Sequence, residues 1–245
     1  MKWHARVALG APILALSLVG CGGETGGPSP EPAPVASSGV VASGLEAPWS
    51  VAFAGEVPLV SERDSGRILA LGEGTATELM TVEDSRGSGE GGLLGLAVAN
   101  HHLYAYFTAG DENRIVRYPL TGDGGDGRDL TAGDPETVLD GIPAGTVHNG
   151  GRIAFGPDGM LYATVGDAAD TGHSQDLDSL AGKILRMTPE GGVPDDNPFP
   201  GSYVYSYGHR NPQGIAWDES GTMYASEFGQ NTWDELNVIE PGGNY

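Results

Sequence analysis

The sequence predicts an all-β domain of propeller type, and three observations carry that expectation. The chain holds 41 glycines and 17 prolines in 245 residues, a composition that calls for many tight turns. Beyond the first 21 residues, no stretch keeps a helical apolar spacing over more than two or three turns, so the repeating elements are strands. One hairpin pattern also recurs. GLLGLAVANHHLYAYFTAG (92–110), GRIAFGPDGMLYATVGD (151–167) and QGIAWDESGTMYASEFG (213–229) each read glycine, apolar run, turn, second run with tyrosine, glycine; WSVAFAGEVPLVSE (49–62) is a weaker copy. The copies begin near Trp49, Gly92, Gly151 and Gln213, roughly 43 to 62 residues apart, the spacing of four-stranded propeller blades with loop insertions. A flat β-sandwich is the alternative, but it gives no reason for one hairpin to recur with the same sequence.

The first element, residues 1–21, reads as an export signal. Lys2 and Arg6 precede the apolar run Val7 to Val19, and Leu18-Val19-Gly20-Cys21 closes it in the manner of a lipobox. The single cysteine thus stands where bacterial lipoproteins are cleaved and acylated; a lone buried thiol is the bland alternative. The apolar run is too short for a permanent membrane span. Once Cys21 is acylated no disulfide is possible, so burial and hydrogen bonds must hold an exported domain. The second element, GGETGGPSPEPAPVASSGV (22–40), has almost no apolar bulk and reads as a disordered tether. The third, residues 41–245, is long enough for one sizeable core.

Within that domain the turns Asp158-Gly159 and Ser220-Gly221 are hairpin chemistry, because glycine supplies positive φ without a Cβ clash. The chain carries 33 acidic residues against 12 basic, a net charge of −21. Loss of Lys2 and Arg6 with the signal would make it more negative still, which argues against a nucleic-acid partner. Solubility is the simple reason for such acidity; service to calcium is the sharper one.

Six motifs then make the reading specific. They are SGEGGLLGLA (88–97), VHNGGRIAFGPDGMLYATVGD (147–167), LAGKILRM (180–187), DNPF (196–199), YSYGHRNPQGIAWD (205–218) and DELNVIEPGGNY (234–245). Together and in this order, the segment from about Gly44 to Tyr245 resembles the glucose/sorbosone dehydrogenase family, soluble aldose dehydrogenases that use pyrroloquinoline quinone (PQQ) on a six-bladed propeller. The resemblance implies that about four blades are present. It also implies C-terminal truncation, since the family continues beyond the GGNY segment with roughly two further blades and further cationic contacts to the quinone.

Oxidising an aldose at its anomeric carbon removes a hydroxyl proton and a hydride together, so the site needs a base of near-neutral pKa and an electrophilic acceptor. The resemblance makes His148 that base, against the ordinary reading of a hairpin-entry histidine. Asp167, at the far end of the same hairpin, is placed to hold the imidazole in one tautomer, although aspartate is also a common turn residue. Arg210 is the candidate to face the quinone as it gains negative charge, with Asn211 donating beside it. Pro212 biases Asn211 toward extended backbone. Where the family commonly has glutamine, this chain has Glu90, a carboxylate that would be repelled by the acidic cofactor, be protonated, or bind the sugar instead. The resemblance further implies Ca2+ on the cofactor side at the carbonyls of Gly229 and Gln230, and a second, structural Ca2+ at Glu235 and the carbonyl of Tyr245. Lys183 and Arg152 also match and read as scaffold.

The leading expectation is therefore a quinoprotein of the bacterial cell envelope, attached to the membrane only through its lipid and oxidising aldoses to lactones for an external electron acceptor. Two other classes stay open: a non-enzymatic propeller that binds carbohydrate or protein, and a calcium-dependent lactonase, which would want convergent carboxylates and no Arg-Asn pair. The sugar itself is not legible, because neutral hydroxyls are read by loop shape and a few polar contacts.

Overall fold

The computed structural model describes residues 39–72, 74–122 and 129–245. The expected signal, Cys21 and all but the last two residues of the tether lie outside them.

Each of the four copies of the repeat forms the first two strands of a blade. Strands β1 (Pro48–Ala54), β2 (Val57–Glu62), β3 (Arg67–Gly72) and β4 (Thr75–Thr81) pair in that order as blade 1. Blade 2 contains β5 (Leu93–Ala99), β6 (His102–Ala109) and β7 (Glu112–Thr121). Its fourth place is taken by β9 (Glu136–Pro143) along most of β7 and by the short β8 (Thr131–Ala132) at its end. Blade 3 is β10 (Ile153–Phe155), β11 (Leu161–Val165), β12 (Lys183–Met187) and β13 (Val204–Tyr207). Blade 4 is β14 (Pro212–Trp217), β15 (Met223–Glu227) and β16 (Glu235–Ile239), and all the blade pairings are antiparallel. The helix among the described residues, α1 (Gly172–Gln175), sits between β11 and β12.

The turns follow the residues placed there. Gly159 and Gly221 adopt φ of +77° and +86° as hairpin glycines should, whereas the β5–β6 hairpin turns on Asn100 and His101, both left-handed without glycine. That turn is strained, and asparagine is the residue type that tolerates it best.

The core is three slabs between successive blades. Leu59, Ile68, Leu93, Leu103 and Phe107 lie in the first. Leu94, Tyr106, Ile142, Leu161, Leu185 and Met187 lie in the second, and Tyr162, Ile184, Met223, Ala225 and Ile239 in the third. Neighbouring residues therefore serve opposite slabs, Leu93 and Leu94 on β5 or Ile184 and Leu185 on β12, because successive side chains of a strand point to opposite faces. This explains why β5, β6, β11 and β12 read as continuous apolar runs: both faces of a middle blade are covered. Large exposed apolar side chains fall mostly on the first and last blades, at Val51 and Phe53 of β1 and at Phe228, Trp233, Leu236 and Val238, with Leu177 in the β11–β12 loop and Val40 and Val41 ahead of β1.

The inner strands approach closely enough to require glycine. A Cβ on Gly95 of β5 would stand 2.1 Å from the carbonyl oxygen of Gly151, so blade 2 meets blade 3 backbone to backbone just ahead of β10. That contact fixes where the segment 147–152 enters the domain.

Candidate active site

The site grows from the ends of the β10–β11 hairpin. His148 precedes β10 and holds a left-handed backbone, φ 59°, an uncommon conformation for a residue with a side chain. Two contacts secure it. Its amide donates to Glu90 Oε2 at 2.8 Å, and its carbonyl accepts from the Ala168 amide at 3.2 Å. Gly166 makes room, since a Cβ there would lie 2.1 Å from the His148 oxygen.

The imidazole then meets Asp167, which follows β11, with Nδ1 2.7 Å from Asp167 Oδ1. Asp167 is almost wholly buried, and the same Oδ1 accepts the Ala169 amide at 2.8 Å. A carboxylate with its orientation fixed by a backbone donor accepts Nδ1–H and leaves Nε2 as the basic atom. The strand ends thus place a histidine of defined tautomer at the wall of a cavity of about 390 Å3, within the range of small-molecule sites. Thr171, Gln175, Arg210 and Gln230 also line it.

Arg210 is the one arginine or lysine lining that cavity among the described residues. Its Nη1 donates to the Phe228 carbonyl at 3.0 Å, which steadies the guanidinium beside the segment that carries Gly229 and Gln230. Asn211 lies behind, buried; its Oδ1 accepts the Gly150 amide at 3.1 Å and Gln213 Nε2 at 2.9 Å. Asn211 therefore ties blade 4 to the turn that follows His148. Base side and cation side are also joined by backbone, because the Asp167 amide donates to the Arg210 carbonyl at 2.8 Å.

The remaining sequence-derived candidates fall elsewhere. Glu90 lines a second cavity, of about 280 Å3, with Trp49, Arg63, Gln213 and Phe228. One of its oxygens holds the His148 backbone, a use that neither repulsion, protonation nor sugar binding had anticipated. Gln230 reaches the first cavity and Gly229 sits in a turn whose amide donates to Asp234 Oδ1 at 3.2 Å. The carbonyls of Gly229 and Gln230 accept no hydrogen bond among the described residues. Glu235 accepts Asn237 Nδ2 at 3.0 Å on the exposed side of β16. Tyr245 donates its hydroxyl to the Val238 carbonyl at 2.7 Å and stacks its ring on His209 at 5.0 Å. No group of three or more His, Cys, Asp or Glu side chains placed to hold a metal occurs among the described residues.

Of the two scaffold cations, Lys183 is buried and Arg152 half-buried. Lys183 Nζ donates to the carbonyls of His173 at 2.7 Å, Ser174 at 3.2 Å and Ala181 at 2.7 Å, so it grips α1 and the loop that follows. Burial pushes its ammonium down to about 8, with Asp176 pulling the other way. Arg152 rests 4.3 Å over the Trp49 ring and donates to Ser50 Oγ at 3.0 Å, and burial lowers its pKa as well.

Sequence reasoning had missed Thr171 and Gln175 as cavity residues, and Glu227 and His209 as buried partners beneath Arg210. The GHR segment held His209 in plain view, but nothing in the spacing says that Glu227 of β15 lies against it.

Known proteins resemble the chain in sequence and in fold. The family model described as Glucose / Sorbosone dehydrogenase matches residues 45–245. The chain is 31% identical to quinoprotein glucose dehydrogenase B of Acinetobacter calcoaceticus over 84% of its own length and 51% of the relative's. It is 33% identical to the aldose sugar dehydrogenase YliI of Escherichia coli K12, covering 82% of the chain and 58% of the relative. Among solved structures, the PQQ-bound form of the aldose sugar dehydrogenase from Streptomyces coelicolor superposes with a TM-score of 0.78 at 55% identity, covering 84% of this chain and 63% of that one. The chain thus spans between half and two thirds of the length of these proteins.

Proposed function

The chain belongs to the glucose/sorbosone dehydrogenase family, and from that premise we propose that it serves the oxidation of an aldose at its anomeric carbon to the lactone, with His148 as the base. One observation carries the proposal: His148, fixed by Asp167, and Arg210 line the same cavity.

The chemistry divides between the two walls. Nε2 of His148 takes the proton of the anomeric hydroxyl while the hydrogen on that carbon departs as hydride, so a proton and a hydride leave the sugar by separate routes. Asp167 keeps Nδ1 protonated and stabilises the imidazolium that results. PQQ, when bound, supplies the two-electron acceptor for that hydride. The residues present suit such a group: Arg210 offers a guanidinium to an anionic, planar molecule, and the cavity is open enough to admit one. Asn211 does not line the cavity; buried behind Arg210, it holds the Gly150 amide instead of facing the cofactor. The carbonyls of Gly229 and Gln230 are hard oxygen donors that would hold a Ca2+ and supply positive charge to an anionic cofactor, beside the Arg210 contact at Phe228. Glu235 and the Tyr245 carbonyl would serve a structural ion.

The experiment is a titration of the purified protein with PQQ in the presence of calcium, followed by dye reduction on adding aldoses. Saturable binding at any affinity is expected, together with sugar-dependent reduction that falls about 100-fold in His148→Ala while binding persists. Absence of any saturable binding, or undiminished turnover in the variant, sinks the reading.

A further inference from the structure

Beneath Arg210 lies a buried carboxylate that the chemistry above does not use. Glu227, at the end of β15, is 5% exposed, and it spends both oxygens on one three-residue segment. Oε1 accepts the amides of both Arg210 and Asn211, the latter at 3.0 Å. Oε2 lies 2.8 Å from Nδ1 of His209, whose Nε2 lies 2.8 Å from Ser206 Oγ. With the carboxylate accepting throughout, His209 carries its proton on Nδ1 and accepts the serine hydroxyl at Nε2. His209 is completely buried and stacked on Tyr245, interplanar angle 14°, so the segment has no freedom to turn away.

The consequences extend past the segment. The Arg210 carbonyl accepts the Asp167 amide, and Asn211 Oδ1 accepts the Gly150 amide. Asp167 orients His148, and Gly150 follows it two residues on. We propose that Glu227 is a positioning residue: by clamping the backbone of 209–211 it sets the place of the Arg210 guanidinium and, through the Arg210 and Asn211 oxygens, the direction of the base. One buried carboxylate thus registers the cation side of the cavity with the proton-accepting side. The clamp is independent of what the cavity binds; its consequence for PQQ rests on the function proposed above.

Two variants separate reach from charge. Glu227→Gln keeps the length and one acceptor oxygen for the two amides, while its NH2 can face His209 Nδ1 once that ring shifts its proton to Nε2 and donates to Ser206. Glu227→Asp keeps the charge but withdraws it by one methylene. Asn197→Ala removes a buried polar side chain of the Arg186 cluster that makes no hydrogen bond to this segment, and controls for simple destabilisation.

The first readout is amide hydrogen exchange without ligand, at Asp167 and Gly150, neither of which bonds to Glu227 itself. In Glu227→Asp both should exchange about tenfold faster relative to Ala163 and Leu185 in the blade core; in Glu227→Gln and Asn197→Ala the ratio should stay within about threefold. The second readout is PQQ titration, where Glu227→Asp should weaken binding about tenfold or more and Glu227→Gln little, because small misplacements of a positioned group are costly. Unchanged exchange ratios at Asp167 and Gly150 in Glu227→Asp would overturn the clamp, as would Glu227→Gln behaving worse than Glu227→Asp, which would assign the effect to charge. If the wild-type protein binds no PQQ while the exchange pattern holds, the proposed function fails and the clamp stands.

Discussion

At the scale of single residues, the site depends on backbone conformations that side chains dislike. His148, Ala168 and Ala169 all have positive φ, each at a cost of about 1–2 kcal/mol for a residue with a Cβ. For Ala168 the strain has no compensating side-chain contact to protect. Ala168→Gly should relieve it, less the roughly 0.5–1 kcal/mol that glycine's unfolded-state freedom costs, for a net gain of about 0.5–1 kcal/mol. Urea denaturation measures this directly, and a loss of stability would show that the methyl packs favourably. Asp167→Asn tests the tautomer. An asparagine can present its NH2 to Nδ1, which moves the imidazole proton to Nε2 and removes the base; turnover should fall about 100-fold or more with little change in aldose KM. His148, Asp167 and Arg210 were legible because each sits inside a contiguous motif. The use of Glu90 was not, since its contact with the His148 amide joins residues 58 apart and depends on how blades 2 and 3 meet.

At the scale of elements, the blades were legible and the loop between β11 and β12 was not. Four hairpins announce themselves by period-two apolar runs around turn residues, whereas a four-residue helix such as α1 carries no periodicity to detect. What holds that helix is Lys183, a residue that reads as one more strand position. The pH dependence follows from its shift. In the folded protein the ammonium titrates at about 8, against an ordinary value of 10.5. Between those values the unfolded chain binds more protons than the folded one, so this group makes stability rise with pH across that window. Lys183→Met should lack the rise. Comparing unfolding midpoints of the two proteins at about pH 8 and about pH 10 checks it, and parallel changes in both would remove Lys183 as the cause. Gly166→Ala probes the other wall of the loop. The added Cβ would collide with the His148 carbonyl, and overpacking of this kind costs about 1–3 kcal/mol. Because the atom that must move belongs to the base, turnover should suffer more than the melting temperature does.

At the scale of the whole molecule, the propeller was legible from the recurrence of one hairpin, and the three inter-blade slabs explain why that recurrence is needed: no blade can bury two apolar faces by itself. Among the described residues all three slabs draw on residues from Trp49 onward, and the first sheet begins at Pro48. If Cys21 is the acylation point and the Pro-rich tether isolates it from the core, Cys21→Ser should move the protein from the membrane fraction to the soluble one while leaving the melting temperature within about 1 °C, a shift that corresponds to only a few tenths of a kcal/mol for a domain of this size. Deletion of residues 2–38 with a non-lipid export signal supplied in their place should give the same melting temperature again. Membrane fractionation and calorimetry read the two halves of the expectation independently. Retention of Cys21→Ser in the membrane would point to an attachment through the domain's own surface, for which the exposed apolar side chains of the first and last blades, Phe53 and Trp233 among them, would be the place to look by charge substitution; a lowered melting temperature would instead show that the leader packs on the blades and that the core does not stand alone.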